Sequence, residues 1–136
     1  MIVISMSGRS VGNDGLIRNQ NRTIVVDTGF HASMATKRKR DYLRSPKEGL
    51  ALMGVNADTV QDVVITHMHY DHVGTFDDFP QARFHLQDAE MGFATGRHMC
   101  SEYMSHPYEV DEVVSMVRLV YKDRVKFHDE IGRAHV

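Results

Sequence analysis

The sequence has one cysteine, no long apolar run and almost no net charge. Because Cys100 is the single cysteine in 136 residues, no disulfide can form within the chain, and nothing requires an oxidising compartment. No apolar stretch approaches the length of a membrane span. The first residues have no basic segment and too short an apolar stretch for a signal peptide. These absences predict a cytoplasmic protein that does not enter a membrane.

The chain also has no large excess of positive or negative charge. The formal net charge of −2 argues against a general nucleic-acid or membrane-surface binder. The basic run KRKR at residues 37–40 lies in a segment, residues 31–43, that we predict to be helical. Such a run can be a nuclear-localisation or nucleic-acid patch, but no aromatic residues alternate with these cations to stack on bases. We interpret it as the solvated face of a helix and predict no nucleic-acid partner.

Histidine, by contrast, is concentrated in one place. Three of the nine histidines fall within the first six residues of HMHYDHVG, at residues 67–74. This stretch directly follows DVVI at residues 62–65, which is typical of a buried strand. Imidazole and carboxylate together suit zinc, iron, manganese or cobalt, whereas magnesium and calcium favour oxygen ligands alone. The pattern therefore predicts a transition-metal site.

The spacing of these ligands indicates two adjacent ions. Alternate side chains of an extended backbone point the same way, so His67 and His69 can point at one ion. If the chain turns after Asp71, its carboxylate and His72 can point at a second ion nearby.

Several stretches resemble a known family. HMHYDHVG at residues 67–74 resembles the signature of the metallo-β-lactamase fold superfamily, and TIVVDTG at residues 23–29 resembles its strand ending in Asp-x-Gly. ARFHLQDAEM at residues 82–91 and ATGRHMC at residues 94–100 resemble the N-acyl-homoserine lactonases, the quorum-quenching branch. The resemblance covers about residues 16–129.

The resemblance implies an α/β (α+β) fold. The family builds a four-layer αββα sandwich from two similar halves, and this chain corresponds to about the first half: one mixed β-sheet with helices on its outer face. We interpret residues 1–15 as an unplaced or non-native start and residues 16–129 as the N-terminal half of the domain. We interpret residues 130–136 as an adapter-derived tail, because IGRAHV matches the in-frame translation of a common sequencing adapter.

The same resemblance implies roles for the ligands. His67 and His69 would bind the first of two divalent ions, most simply zinc, and Asp71 and His72 would bind the second. Asp71 is the predicted catalytic residue, mainly as a metal ligand. A third His, a bridging Asp and a last His would lie further along the family's sequence. Asp27 has two interpretations: a turn carboxylate that bonds nearby amides, or, as the resemblance implies, a residue that holds the metal loop by hydrogen bonds.

The region after the motif is open to two interpretations. In the resembled lactonases it overhangs the active site, which implies an acyl pocket formed by Met91, Phe93, Met99 and Tyr103. Alternatively, these apolar side chains fill a core. The other candidate ligands have no metal-site spacing, so we interpret them as structural: His85, His98, Cys100 and His106.

The implied activity is hydrolysis of a small lactone or ester. In the family, a hydroxide activated by two metal ions attacks the carbonyl and opens the lactone ring to a hydroxy acid. With two ligands per ion, the 136-residue chain itself is expected to be inactive. The alternatives are another hydrolase of the superfamily (a glyoxalase II-type thioesterase or a phosphodiesterase) and a non-catalytic metal-binding chain. The sequence does not predict an oligomeric state.

The predicted elements follow from periodicity and capping. Ser45, Pro46 and Glu48 form the expected start of a helix that ends at Gly54. The remaining predictions are a hairpin of residues 16–18 and 22–26, a strand at 82–86, a helix from 87, irregular chain at 92–108, a helix at 109–121 and a strand at 124–128.

Overall fold

A computed structural model describes the backbone of residues 2–5 and the whole of residues 15–128. The turn-rich start at residues 6–14 and the predicted tail at residues 130–136 lie outside the described residues. The described strands are β1 (Ile2–Ser5), β2 (Gly15–Arg18), β3 (Thr23–Val26), β4 (Asp62–Val64), β5 (Arg83–Gln87) and β6 (Val125–His128).

These strands form one mixed sheet in the order β1 to β6. β1, β2 and β3 are antiparallel neighbours, whereas β3 to β6 run parallel. The predicted hairpin and the predicted mixed α/β sheet are therefore confirmed. Because parallel neighbours need a connection that crosses the sheet, the helices lie in the segments after β3 and β5.

One row of buried side chains crosses five strands of the sheet. Its members are paired one to the next and none is more than 9% exposed: Leu16, Val25, Val63, Phe84 and Val125. β-Branched and aromatic side chains fit such a pleated surface. This row is the centre of the hydrophobic core, and Met116 and Leu119 of the last helix pack into the same cluster.

The helices are α1 (Ala32–Arg38), α2 (Pro46–Leu52), α3 (Asp88–Ala94), α4 (Glu102–Ser105) and α5 (Val110–Tyr121), with 3₁₀ turns at Ala57–Thr59, Phe76–Asp78 and Arg97–Cys100. The capping box of α2 is confirmed: the Ser45 hydroxyl accepts from Glu48 N, and Glu48 Oε2 accepts from Ser45 N. Gly54 follows with φ +74°. No helix in the described part of the chain is long and apolar enough to cross a membrane.

Two helix predictions were wrong in extent. α1 ends at Arg38 and not at residue 43, because Lys39 adopts a left-handed conformation with φ 54° and its N–H bonds back to the helix. The stretch at residues 92–108 is not irregular throughout, because it contains the end of α3, a 3₁₀ turn and α4. The 3₁₀ turn and α4 are too short to show an apolar period that could be recognised in the sequence.

The prediction that the basic run is a solvated helix face holds for Lys37 but not for Arg38, while Lys39 and Arg40 are exposed beyond the end of α1. The Arg38 side chain is only 15% exposed, and its guanidinium donates to both Glu109 Oε1 and the carbonyl of His106. It also lies 4.4 Å from the ring centroid of Tyr70. Arg38 therefore joins α1 to the chain before α5, a tertiary contact that the local charge pattern does not contain.

Candidate metal centre

The candidate site lies at one edge of the sheet because three parallel strands end there. Asp27 follows β3, the loop of residues 66–74 follows β4, and α3 follows β5. Parallel strands place their carboxyl ends at the same edge, which is where α/β sheets bind ligands. The register confirms that these ends are level, since Val26 pairs with Val64 and Val64 with His85.

The loop of residues 66–74 gathers three imidazole rings. The ring centroid of His67 lies 4.5 Å from that of His69 and 3.8 Å from that of His72. Asp71 Oδ2 lies 3.6 Å from His72 Nε2. The fold thus brings the four predicted ligands together in one loop.

Asp27 lies beneath this loop and is almost fully buried, at 2% exposure. Its Oδ1 accepts from the backbone N–H of Thr66 at 2.7 Å, and its Oδ2 accepts from the Thr66 hydroxyl at 2.8 Å. Oδ2 also lies 2.8 Å from His72 Nδ1. Because a carboxylate can only accept, Nδ1 of His72 carries the proton and Nε2 the lone pair. That is the tautomer a metal-binding histidine needs when it binds through Nε2.

His67 reaches the same tautomer by another route. The Thr66 hydroxyl lies 3.0 Å from His67 Nδ1, and its hydrogen is already donated to Asp27. Nδ1 of His67 is therefore the donor, which leaves the lone pair on Nε2. Burial lowers the pKa of His67, and the neighbouring His72 and His69 lower it further. A neutral imidazole is the form that binds a metal ion.

The side of the loop that contacts Asp27 is also fixed through the backbone of residues 27–29. The carbonyl of His72 accepts from Thr28 N at 2.8 Å, and Gly74 N donates to the carbonyl of Gly29 at 2.6 Å. Gly74 is required here, since a Cβ on it would lie 2.5 Å from the Cα of Phe30. Asp27 was predicted from the sequence but Thr66 was not, although its place directly before the motif was an available signal.

The opposite side of the loop contacts residues that the sequence analysis did not assign to the site. Glu90 Oε1 accepts from the backbone N–H of Met68 at 2.7 Å and from the Tyr108 hydroxyl at 3.1 Å. The Tyr108 ring stands edge-on to His69, with centroids 5.0 Å apart. Burial raises the pKa of Tyr108 to about 12, with further contributions from the charge of Glu90 and its hydrogen bond. The phenol therefore stays protonated and donates.

The donor set has the chemistry of a transition-metal site. Three imidazoles, two of them with Nδ1 protonated, lie beside one carboxylate, and this combination suits zinc, iron, manganese or cobalt. Within residues 15–128, however, no three His, Cys, Asp or Glu side chains are arranged to hold one ion together. The assignment of two ligands to each ion stays a prediction.

The four predicted pocket residues lie in different surroundings. Met99 lines an open cleft of about 870 Å³, whereas Met91 packs against the hydrophobic core. Phe93 stacks on His98 at 5.2 Å between centroids, and Tyr103 is 88% exposed. The cleft is also lined by Tyr108, by Lys37 and Arg38, and by four valines of α5, namely Val110, Val113, Val114 and Val117.

The remaining histidines and the cysteine have other surroundings. His85 Nε2 lies 2.9 Å from Asp62 Oδ1, and His85 Nδ1 lies 3.0 Å from His128 Nε2. The carbonyl of His106 accepts from Arg38. Cys100 is exposed.

Comparison with known proteins identifies relatives at the level of a superfamily. A family model described as the metallo-beta-lactamase superfamily matches residues 7–128. The N-acyl homoserine lactonases AiiB of Agrobacterium fabrum and Rhizobium rhizogenes are 29% and 30% identical to the chain over 116 residues. Each match covers 72% of this chain and 40% of the lactonase. The chain thus spans less than half the length of these relatives.

A solved structure matches a larger share of the chain. The crystal structure of a quorum-quenching N-acyl homoserine lactone lactonase superposes with a TM-score of 0.63 at 19% identity. The match covers 87% of this chain and 45% of that one. At this identity it shows the fold, and it confirms the predicted resemblance to part of the αββα sandwich.

Proposed function

Because the chain belongs to the metallo-β-lactamase superfamily, we propose that it is the N-terminal half of a metal-dependent hydrolase that opens lactone rings. The observation that carries the proposal is the cluster of His67, His69 and His72 beside Asp71, in which hydrogen bonds set the tautomers of two of the three histidines. The likeness to N-acyl homoserine lactonases supports the lactone as substrate.

His67 and His69 would hold one divalent ion, and Asp71 and His72 a second. Zinc is the first choice for this donor set, with iron, manganese or cobalt as alternatives. Such ions supply positive charge that polarises a carbonyl and acidifies a nearby water. The chain's own contribution is to fix ligand direction: Asp27 and Thr66 hold the rings of His72 and His67 with Nε2 carrying the lone pair.

The apolar cleft supports a substrate with an acyl group. Tyr108 contacts His69 on one side and lines the cleft on the other, so the cleft begins next to the proposed metal site. Met99 and the α5 valines give it an apolar wall. In the reaction, water adds to the lactone carbonyl, the ring C–O bond breaks, and a hydroxy acid forms, which ionises to its carboxylate and releases one proton near neutral pH.

The alternative is another hydrolase of the superfamily, either a thioesterase of glyoxalase II type or a phosphodiesterase. The superfamily match and the ligand motif are compatible with each of these. A non-catalytic metal-binding role for the chain is the third possibility. A substrate panel separates the three proposals.

The test uses the protein encoded by the gene once it has been sequenced from an independent template beyond the codon for residue 129. N-acyl-homoserine lactone, thioester and phosphodiester substrates are compared, and proton release is followed with a pH indicator. We expect lactone opening that chelators abolish and His69→Ala removes. His31→Ala, at an exposed histidine outside the loop whose side chain makes no capping hydrogen bond, is the matched control and should retain activity.

Two outcomes would contradict the proposal. Lactone opening that survives both chelation and His69→Ala would rule out the metal site. A preference for thioester or phosphodiester would favour the alternative hydrolase. The purified 136-residue chain alone is expected to be inactive, because its predicted ligands provide only two per ion.

A further inference from the structure

The side chain of Glu90 makes contacts that its location at the start of a helix does not explain. It lies in the first turn of α3, where an acidic residue interacts favourably with the helix dipole. Its carboxylate nevertheless turns to the metal loop, where Oε1 accepts from both Met68 N–H and the Tyr108 hydroxyl. One half-buried oxygen thus joins three separate segments of the chain.

The first contact bears on the direction of two ligands. Met68 lies between His67 and His69, and its side chain is fully buried. A hydrogen bond to the Met68 amide fixes the peptide plane between His67 and Met68. Because alternate side chains take their direction from the backbone between them, this plane sets how His67 and His69 point relative to each other.

The second contact bears on the His69 ring itself. The Tyr108 hydroxyl donates to Glu90, and this bond fixes the phenol against which His69 stands edge-on at 85°. Tyr108 is also held through its backbone, since its carbonyl accepts from Arg38 and Pro107 accepts from Tyr70 N. Glu90 thereby reaches His69 by two routes, one through the backbone and one through a neighbouring ring.

We infer that Glu90 is a positioning residue that sets the direction of His67 and His69, as Asp27 and Thr66 set the ring tautomers. The inference rests on the proposed metal site for its functional meaning. Its structural part, the effect of Glu90 on the two histidines, can be measured without any metal.

The first experiment uses the metal-free 136-residue chain and Glu90→Asp, which keeps the charge but shortens the side chain. NMR resonances of the Met68 amide and of the His67 and His69 rings are compared with those of the wild type. We expect these resonances to shift and the Met68 amide to exchange faster, while the ring resonances of His85 stay in place. Glu102→Asp, the same change at an exposed glutamate of α4, is the matched control and should move none of them.

The second experiment measures zinc affinity by competition with a chromogenic chelator. Glu90→Asp should weaken binding about tenfold, at the lower end of what loss of a ligand-orienting partner costs. Glu90→Gln loses the negative charge but keeps an acceptor oxygen, so it should retain most of the zinc affinity. If Glu90 acted through its charge alone, this variant would lose affinity instead. A Co²⁺-loaded chain should show a changed absorption spectrum in Glu90→Asp but not in Glu102→Asp.

The outcomes separate the two claims. If the protein encoded by the resequenced gene binds no zinc, the proposed metal site fails, and the NMR comparison alone still decides the role of Glu90. Unmoved Met68, His67 and His69 resonances in Glu90→Asp would overturn the inference. Should Glu90→Asp prevent folding, Tyr108→Phe removes only the hydroxyl, and an unchanged His69 ring resonance in that variant would overturn the part of the inference that runs through Tyr108.

Discussion

The loop of residues 66–74 is held from two sides that are built differently. On one side, residues 27–29 form a short continuous segment after β3, and Asp27 is 2% exposed. On the other side, Glu90 lies in α3 and Tyr108 lies 18 residues later in the connection between α4 and α5, and both are half-buried. The first side contacts Thr66 and the end of the motif, whereas the second contacts its beginning.

The two sides also differ in what fixes their position. The first side follows directly from a strand whose register with β4 is fixed, so its position depends on the sheet. The second side depends on α1, because Arg38 holds the chain of residues 106–109 in place. We therefore expect substitutions on the first side to cost more than substitutions on the second.

The largest effect is expected for Gly74→Ala. The added Cβ would lie 2.5 Å from the Cα of Phe30 and 2.7 Å from the carbonyl oxygen of Gly29. Because backbone atoms cannot move away as a flexible side chain can, the free energy of unfolding should fall by about 3 kcal/mol, the upper end for overpacking. Urea denaturation measures this. At Gly92 in α3 a Cβ meets nothing within 4 Å, so Gly92→Ala is the control and should not destabilise the chain. Equal effects at both glycines would contradict the prediction.

Asp27→Asn should have the next largest effect. Asp27 has φ 61°, a conformation that asparagine also tolerates, so backbone strain does not confound the change. The amide keeps one acceptor but loses the charged bonds to Thr66 and His72, and the free energy of unfolding should fall by about 2 kcal/mol. Zinc affinity should fall about 10- to 100-fold.

Asp58→Asn is the control for this change, because Asp58 belongs to an exposed ion pair with Lys47. We expect almost no effect on stability there. If Asp27→Asn and Asp58→Asn had the same effect on both zinc affinity and stability, the claim that Asp27 supports the loop would be refuted.

Glu109→Gln tests the support of the second side. Burial alone would raise the pKa of Glu109, but the hydrogen bonds from Lys37 and Arg38 bring it below its ordinary value. Its contribution to stability is therefore fully present above the unfolded value of 4.5 and is lost as the pH falls through the folded pKa. At pH 7 the variant should be about 1.5 kcal/mol less stable than wild type, less than for a fully buried pair because Lys37 is 62% exposed.

The measurement is urea denaturation of wild type and Glu109→Gln across the acid range. The stability difference between the two should shrink as the pH falls below 4.5. A difference that stays constant, or grows, would show that the ion pair does not stabilise the attachment of α1.

The smallest effect is expected for Ser45→Ala, far from both sides of the loop. Loss of the capping hydroxyl should lower the free energy of unfolding by about 1 kcal/mol. Because the capping box is local to α2, zinc affinity should not change. A change in zinc affinity would mean that stability and metal binding are coupled throughout the chain. Losses of affinity could then not be assigned to either side of the loop.

Much of the fold could be predicted because its signals are local. Alternation and β-branched runs predicted the strands, and Ser45 with Glu48 predicted the start of α2. The end of α1 could not be predicted, because Lys39 adopts a left-handed conformation that is uncommon for a lysine. The role of Arg38 was also missed, since its partner Glu109 is 71 residues away.

The sequence by itself determined which residues could bind metal, because His67, His69, Asp71 and His72 lie in one short loop after a strand. It also indicated Asp27, which ends the strand before. Only the tertiary structure decided what supports the loop, since Glu90 and Tyr108 reach it across many residues. The physical reason is the parallel sheet, which brings the carboxyl ends of β3, β4 and β5 to one edge.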